Sequence, residues 1–290
     1  MRRISLLVVA LSLWAGCRRS PVQSRDADQR GPALSGDRCQ AGRFVAKLKA
    51  TDGVTLAGDF YATGKRQRSA VILLHDLPGR LDRRAFALTF IEMLREKGLN
   101  VLSLDRRGSG QSAGQAKDAS KGPRGKLDVV AAYEYLVGHD CQIDGRQIAL
   151  VAAGDGTASA LDYTVLAKTS PKYEWPRALV LISAGAATEQ QHRIDDHRDL
   201  LESIPLLFVY GERDATWPLG LRADAPSDWQ FASFAERLAG TRLLSAQRRV
   251  QTTIGDFLWR AIGPQQPMSA KQLRPWSGRG PRPRPNRPPN

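Results

Sequence analysis

Short apolar runs alternate with amphipathic segments along the middle of this 290-residue chain. Runs at 70–74, 99–104, 148–151, 178–182 and 205–209 are mostly aliphatic. Such runs suit strands buried on both faces of a parallel sheet. Segments 44–50 and 55–62 flank Asp52-Gly53 and predict an opening hairpin. Helices are predicted over 83–97, 126–137, 157–167 and 250–261. In 228–238, Phe231, Phe234, Ala235 and Leu238 stand at i, i+3, i+4 and i+7, which predicts one more helix with an apolar face. The order as a whole reads as α/β: a mostly parallel sheet flanked by helices on both faces. Only about twenty residues separate Ile182 from Pro205, too few for a large cap domain. No internal repeat is visible.

The two ends lack this alternation. Residues 1–16 carry Arg2 and Arg3, an apolar run from Ile4 to Trp14, then small residues, the pattern of a signal peptide. Trp14-Ala15-Gly16-Cys17 resembles a bacterial lipobox. The resemblance implies that Cys17 is lipidated, with palmitate among its acyl groups, and anchors the chain to the cell envelope. Arg18 follows, not Asp, which implies an outer-membrane destination facing the periplasm. Residues 17–38 are polar and hold Pro21 and Pro32, so they read as a flexible tether. That leaves 39–262 as one domain with room for a sizeable core. Residues 263–290 hold eight prolines, six basic residues and no acid, and read as a disordered Pro/Arg-rich tail.

Those six charges account for much of the net +14, so the body is only moderately basic and its charge says little about a pocket. The tail has two open readings: solvated with no partner, or touching anionic lipid or another polyanion. An exported chain with no interleaving of basic and aromatic residues predicts no nucleic-acid partner. Cys39 and Cys141 remain after Cys17, and in an oxidising compartment one disulfide is open to them. Sequence alone does not show whether they meet. No Cys/His cluster has metal-ligand spacing, and no cofactor is expected.

Residues 148–160 concentrate the chemistry. They read Ile-Ala-Leu-Val-Ala-Ala-Gly-Asp-Gly-Thr-Ala-Ser-Ala, an apolar strand, a turn of small residues and a helix start. Ala70-Val-Ile-Leu-Leu-His75-Asp76 ends another strand, and Asp105-Arg-Arg-Gly-Ser-Gly-Gln-Ser112 follows a third. Pro205-Leu-Leu-Phe-Val-Tyr-Gly-Glu-Arg-Asp214 ends a fourth. Together these segments resemble the α/β-hydrolase fold superfamily over roughly 44–261. The resemblance is nearest to small serine hydrolases of the dienelactone-hydrolase or serine-aminopeptidase kind.

That resemblance implies roles residue by residue. The turn in 148–160 corresponds to the G-x-S-x-G nucleophile elbow. Ala152 takes the first glycine, Gly154 the serine and Gly156 the second glycine. The nucleophile position is therefore degenerate. Asp76 stands where the family's oxyanion loop has glycine, and Leu77 and Asp155 fall at oxyanion-loop positions. An acid at position 76 would oppose a developing oxyanion unless it points to solvent. His75 reads as loop support, and Ser109 and Ser112 as loop hydroxyls. Asp214 takes the place of the triad acid, whose histidine should follow it. The four histidines are His75, His139, His192 and His197, and none follows Asp214. Ala239, in Ala-Gly-Thr-Arg-Leu-Leu, takes the histidine's place.

Losing even one triad member costs about 10⁴ to 10⁶ in turnover. The expectation is a catalytically inactive hydrolase-fold protein that binds a small acyl or apolar ligand, or a protein partner, in the old cleft. One alternative is an active esterase on small acyl substrates with a relocated nucleophile such as Asp155 or a loop serine, served by His192 or His197. Another is a purely structural envelope protein with a filled cleft.

Overall fold

The structure is a computed structural model that describes residues 39–64, 68–77, 81–139, 141–184 and 187–264. The expected signal peptide, Cys17, the tether and all but the first two residues of the expected tail lie outside the described residues.

Eight strands form one sheet: β1 (Gly42–Lys49), β2 (Thr55–Ala62), β3 (Ala70–Leu74), β4 (Asn100–Leu104), β5 (Ile148–Ala153), β6 (Ala178–Ile182), β7 (Leu206–Gly211) and β8 (Trp229–Phe234). Their spatial order is β1-β2-β4-β3-β5-β6-β7-β8. The expected opening hairpin is present, with β1 antiparallel to β2 and Gly42 opposite Ala62. β2 is antiparallel to β4, and every later pairing is parallel. The helices are α1 (Leu88–Glu96), α2 (Ala116–Ser120), α3 (Gly125–Val137), α4 (Gly156–Thr169), α5 (Arg198–Leu201), α6 (Thr216–Arg222), α7 (Gly240–Ala246) and α8 (Arg248–Ile262).

Period-two alternation divides the strand side chains between two cores. Ile72, Leu74, Leu102, Leu104, Leu150 and Ala152 join Val129, Ala132, Ala160 and Leu161 of α3 and α4 on one face. Val71, Leu73, Val101, Ala149 and Val151 join residues of α1, α7 and α8 on the other. α8 shows why it docks: Val250, Ile254, Phe257 and Leu258 are buried and make one helical stripe. Between β6 and β7 the described residues hold one 3-10 turn and the four-residue α5, so no cap domain covers the carboxyl ends of the strands.

Two predicted elements differ. Residues 228–238 are not a helix: Trp229–Phe234 is the edge strand β8, parallel to β7 with Leu206 opposite Trp229. The free edge of β7 offers a full ladder of backbone partners, and Phe231 stacks on Phe208 with centroids 4.8 Å apart. Those long-range gains outweigh a short helical spacing of apolar residues. The helix expected over 83–97 is split into a 3-10 turn, Arg83–Ala85, and α1. Arg83 is drawn inward there by Asp59 and Asp105.

Cys39 and Cys141 are joined, which ties the start of the body to the loop after α3. The bridge closes a loop of 102 residues in sequence separation. A loop of that length limits the unfolded chain by about 4.7 kcal/mol in the chain-entropy account.

Candidate functional site

β3 lies between β4 and β5, so the loops leaving β3 and β5 diverge at the point where strand order reverses. Open α/β sheets place ligand crevices at this point, beyond the carboxyl ends of the strands. His75, Asp76 and Leu77 leave β3 there, and Gly154 and Asp155 leave β5.

Gly154 is the elbow tip. Its φ is +53°, in the left-handed region that costs a side-chain-bearing residue about 1–2 kcal/mol. Its N–H donates to Ile182 O at 2.9 Å, and its carbonyl accepts from Thr157 N at 3.1 Å and Thr157 Oγ1 at 2.6 Å. The backbone turn that presents a nucleophile is therefore intact.

The space that a nucleophile needs is filled. A Cβ at position 154 would lie 2.8 Å from Asp76 Cβ. Asp76 does not turn to solvent. Its Oδ1 accepts from Thr241 Oγ1 at 2.8 Å, across the crevice at the start of α7. Its Oδ2 lies 2.6 Å from where a Cβ at Gly240 would stand, and Gly240 is also at positive φ, +58°. Gly240 N–H is anchored on Ser183 Oγ at 2.9 Å. Asp76 thus lies between two left-handed glycines, Gly154 and Gly240.

One backbone donor of the β3 loop is already engaged. Leu77 N–H donates to Asp155 Oδ1 at 2.8 Å, so the loop's own donor already holds a carboxylate. The same oxygen accepts from Arg106 Nη1 at 3.2 Å. Arg106 is fully buried and also reaches His75 O at 2.9 Å and Ser159 Oγ at 2.8 Å. Asp155 is consequently turned into the structure and bound, not presented as a nucleophile.

His75 supports the loop. It is fully buried, burial pushes its pKa below the ordinary histidine value, and Nδ1 meets Asp76 O at 2.7 Å. A carbonyl only accepts, so Nδ1 carries the proton. Ser109 Oγ stands 3.2 Å from His75 Nε2 and 2.7 Å from Arg106 O. Ser112 Oγ bridges Ala57 N–H, at 2.9 Å, and Asp105 O. Both serines close the 105–112 loop.

Asp214 ends the 3-10 turn Glu212–Asp214 after β7, and its buried Oδ2 has no hydrogen-bond partner among the described residues. Ala239 caps α7 one short loop after β8. Glu212 N–H donates to Glu236 O at 3.1 Å, which brings the two loops side by side. Ala239 thus stands between the edge strand β8 and α7.

The other histidines form two groups elsewhere. His139 packs on Phe60 with centroids 4.5 Å apart. His192 and His197 are half-buried partners, Nδ1 of the first 2.8 Å from Nε2 of the second. Burial pushes both pKa values down. His192 N–H donates at 2.8 Å to Asp162 Oδ1, and burial pushes this carboxyl up to about 6. Nothing in the spacing of these residues announced the cluster. Among the described residues no group of three or more His, Cys, Asp or Glu side chains is placed to hold a metal.

Two of the cavities among the described residues bear on this region. One of about 330 Å³ lies beside the elbow, between Thr157, Ala158 and Leu161 of α4, Ala184, Ile194 and Trp217. The other, about 600 Å³, opens at the carboxyl ends of β7 and β8 and includes neither Gly154 nor Asp76.

Solved structures share this architecture. An esterase of Pyrococcus furiosus is 16% identical and aligns over 77% of this chain and 94% of its own, with a TM-score of 0.57. The α/β hydrolase GrgF of a Penicillium species is 14% identical over 76% of this chain and 99% of its own, with a TM-score of 0.56. A lidless serine hydrolase of Xanthomonas campestris is 14% identical over 78% of this chain and 97% of its own, with a TM-score of 0.53. No family model matches the chain, and no curated protein matches it in sequence. The chain has the α/β-hydrolase fold without a cap domain. At these identities the likeness concerns the fold.

The contact between Asp76 and position 154 gives a direct expectation for stability. Gly154→Ser should destabilise the protein by about 1–3 kcal/mol through overpacking, a fall of several degrees in Tm. Asp76→Gly should remove at least about 1 kcal/mol of that cost. A thermal-melt double-mutant cycle reads the coupling, and strictly additive effects would contradict the placement of Asp76.

Proposed function

We propose that this protein is a non-catalytic member of the hydrolase-fold world that holds a small acyl or apolar molecule in its cleft. In this reading it is tethered to a bacterial envelope through a lipid on Cys17, at the outer membrane and facing the periplasm. The observation that carries the reading is Asp76 packed against Gly154, in the volume a nucleophile requires. Three further facts support it. The elbow residue lacks a side chain, the chain has no histidine beyond Asp214, and the Leu77 amide already binds the Asp155 carboxylate. Without nucleophile and base, and with the Leu77 donor occupied, acyl transfer lacks most of its usual catalytic terms.

The relocated-nucleophile alternative asks Asp155 to attack a substrate. Its carboxylate is bound by Leu77 N–H and Arg106 instead. His192 and His197 are paired with each other rather than with a serine or Asp155. The envelope reading draws on the Arg2-Arg3 leader, the apolar run and the Ala15-Gly16-Cys17 sequence. A disulfide between Cys39 and Cys141 suits an oxidising compartment.

Short p-nitrophenyl esters test the catalytic half. Turnover should stay at the buffer rate in the purified protein and in Asp155→Asn, His192→Ala and His197→Ala. Turnover that collapses in any of those variants would establish the relocated-nucleophile alternative. Labelled palmitate tests the anchor: a producing bacterium should incorporate it into the wild-type chain and not into Cys17→Ser. Equal labelling of the two would remove Cys17 as the lipid site.

A further inference from the structure

The cavity beside the elbow has a chemical polarity of its own. Leu161 and Ile194 are buried in its wall, with Ala158, Ala184 and Trp217 completing an apolar lining. The hydroxyl of Thr157 is already given to Gly154 O. The polar groups lie on the segment that carries His192, Arg193 and Asp195. Asp195 is compensated by Arg198, Nη2 to Oδ1 at 3.0 Å. Arg193 lines the same cavity and makes no ion pair among the described residues. His192 has Nδ1 engaged with His197, which leaves Nε2 as its remaining polar atom, without a protein partner among the described residues.

We propose that this cavity binds a small monocarboxylic acid with an apolar body, its carboxylate on Arg193 and His192 Nε2 and its body against Leu161, Ile194 and Trp217. The proposal rests on the reading that the cleft holds a small acyl or apolar ligand, and it adds the ligand's head group. A guanidinium receives a carboxylate through paired N–H donors. A neutral imidazole can add one N–H but no second full charge, so the site matches a monoanion better than a phosphate. At about 30 Å³ per heavy atom, taken from liquid water, 330 Å³ admits about ten such atoms. That is the size of a medium-chain or aryl carboxylate.

Nearby charges modulate the site without lining it. Lys126 of α3 adds positive potential at His192. Asp196 opposes it there, and the Asp162 carboxyl lies behind, on α4, holding the His192 backbone N–H. None of these three is in the cavity wall.

Isothermal titration of the purified full chain with octanoate and with 1-octanol separates head from body. Octanoate should bind about tenfold more tightly than octanol. Arg193→Gln should weaken octanoate about tenfold and leave octanol unchanged. Ala187→Trp, on a half-buried loop position in the lining, should weaken both. Equal affinities for the two probes, unmoved by Arg193→Gln, would overturn the carboxylate site while leaving an apolar binding cleft in place. Binding of neither probe would overturn the carboxylate site and the ligand-binding part of the proposed function together. Ester turnover by the wild type would instead strike only the non-catalytic reading.

Discussion

The Asp76 side chain, packed between two left-handed glycines, is the contact on which the character of the site depends. Its Cβ lies 2.8 Å from where a side chain at position 154 would begin, and its Oδ2 lies 2.6 Å from where one at position 240 would begin. Asp76 and a serine at 154 therefore compete for one volume. Thr241 Oγ1 fixes the carboxylate in that volume at 2.8 Å. Glycine at 154 removes the nucleophile and also admits the acid. The two departures from the hydrolase pattern are one packing solution, and either reversed alone leaves a collision or a hole.

A second constraint holds the loops around it. Arg106 and Arg107 are fully buried and Arg83 nearly so, each paired with one or more carboxylates. Asp128, the partner of Arg107, is also fully buried, and burial pushes its pKa up against the arginine's pull. Buried ion pairs give little net stability because desolvation offsets attraction, but loss of one partner is severe. Their geometric effect is clear here. Arg106 joins the β3 loop, the β4 loop and the elbow through His75 O, Asp155 and Ser159. With Asp155 also on Leu77 N–H, these loops are tied into one internal network. The open volume of this region lies beside it, along α4.

Much of the fold was legible in the residues. The five apolar runs became β3 to β7 because strands buried on both faces need continuous apolar sequence, and no other element suits runs that short. Gly154 and the lack of a late histidine were readable because they depend on identity and order alone. Position 76 was readable as an acid out of place, but its destination was not: reaching Thr241 crosses 165 residues of sequence. β8 was missed because its apolar spacing fits a helix locally, while the ladder to β7 that decides it is non-local. The burial of Arg106 and Arg107 was not legible, since charge in a glycine-rich loop gives no sign of the Asp155 and Asp128 carboxylates on distant segments of the chain. The Cys39–Cys141 bridge was one open option of a pair that sequence could not bring together.

The proposed non-catalytic role requires that no serine in this chain be activated for acyl transfer. Intact-mass analysis after treatment with an excess of a fluorophosphonate probe tests it directly. The account predicts an unshifted mass and no labelled peptide. A stoichiometric adduct on any serine, Ser109 included, would contradict it.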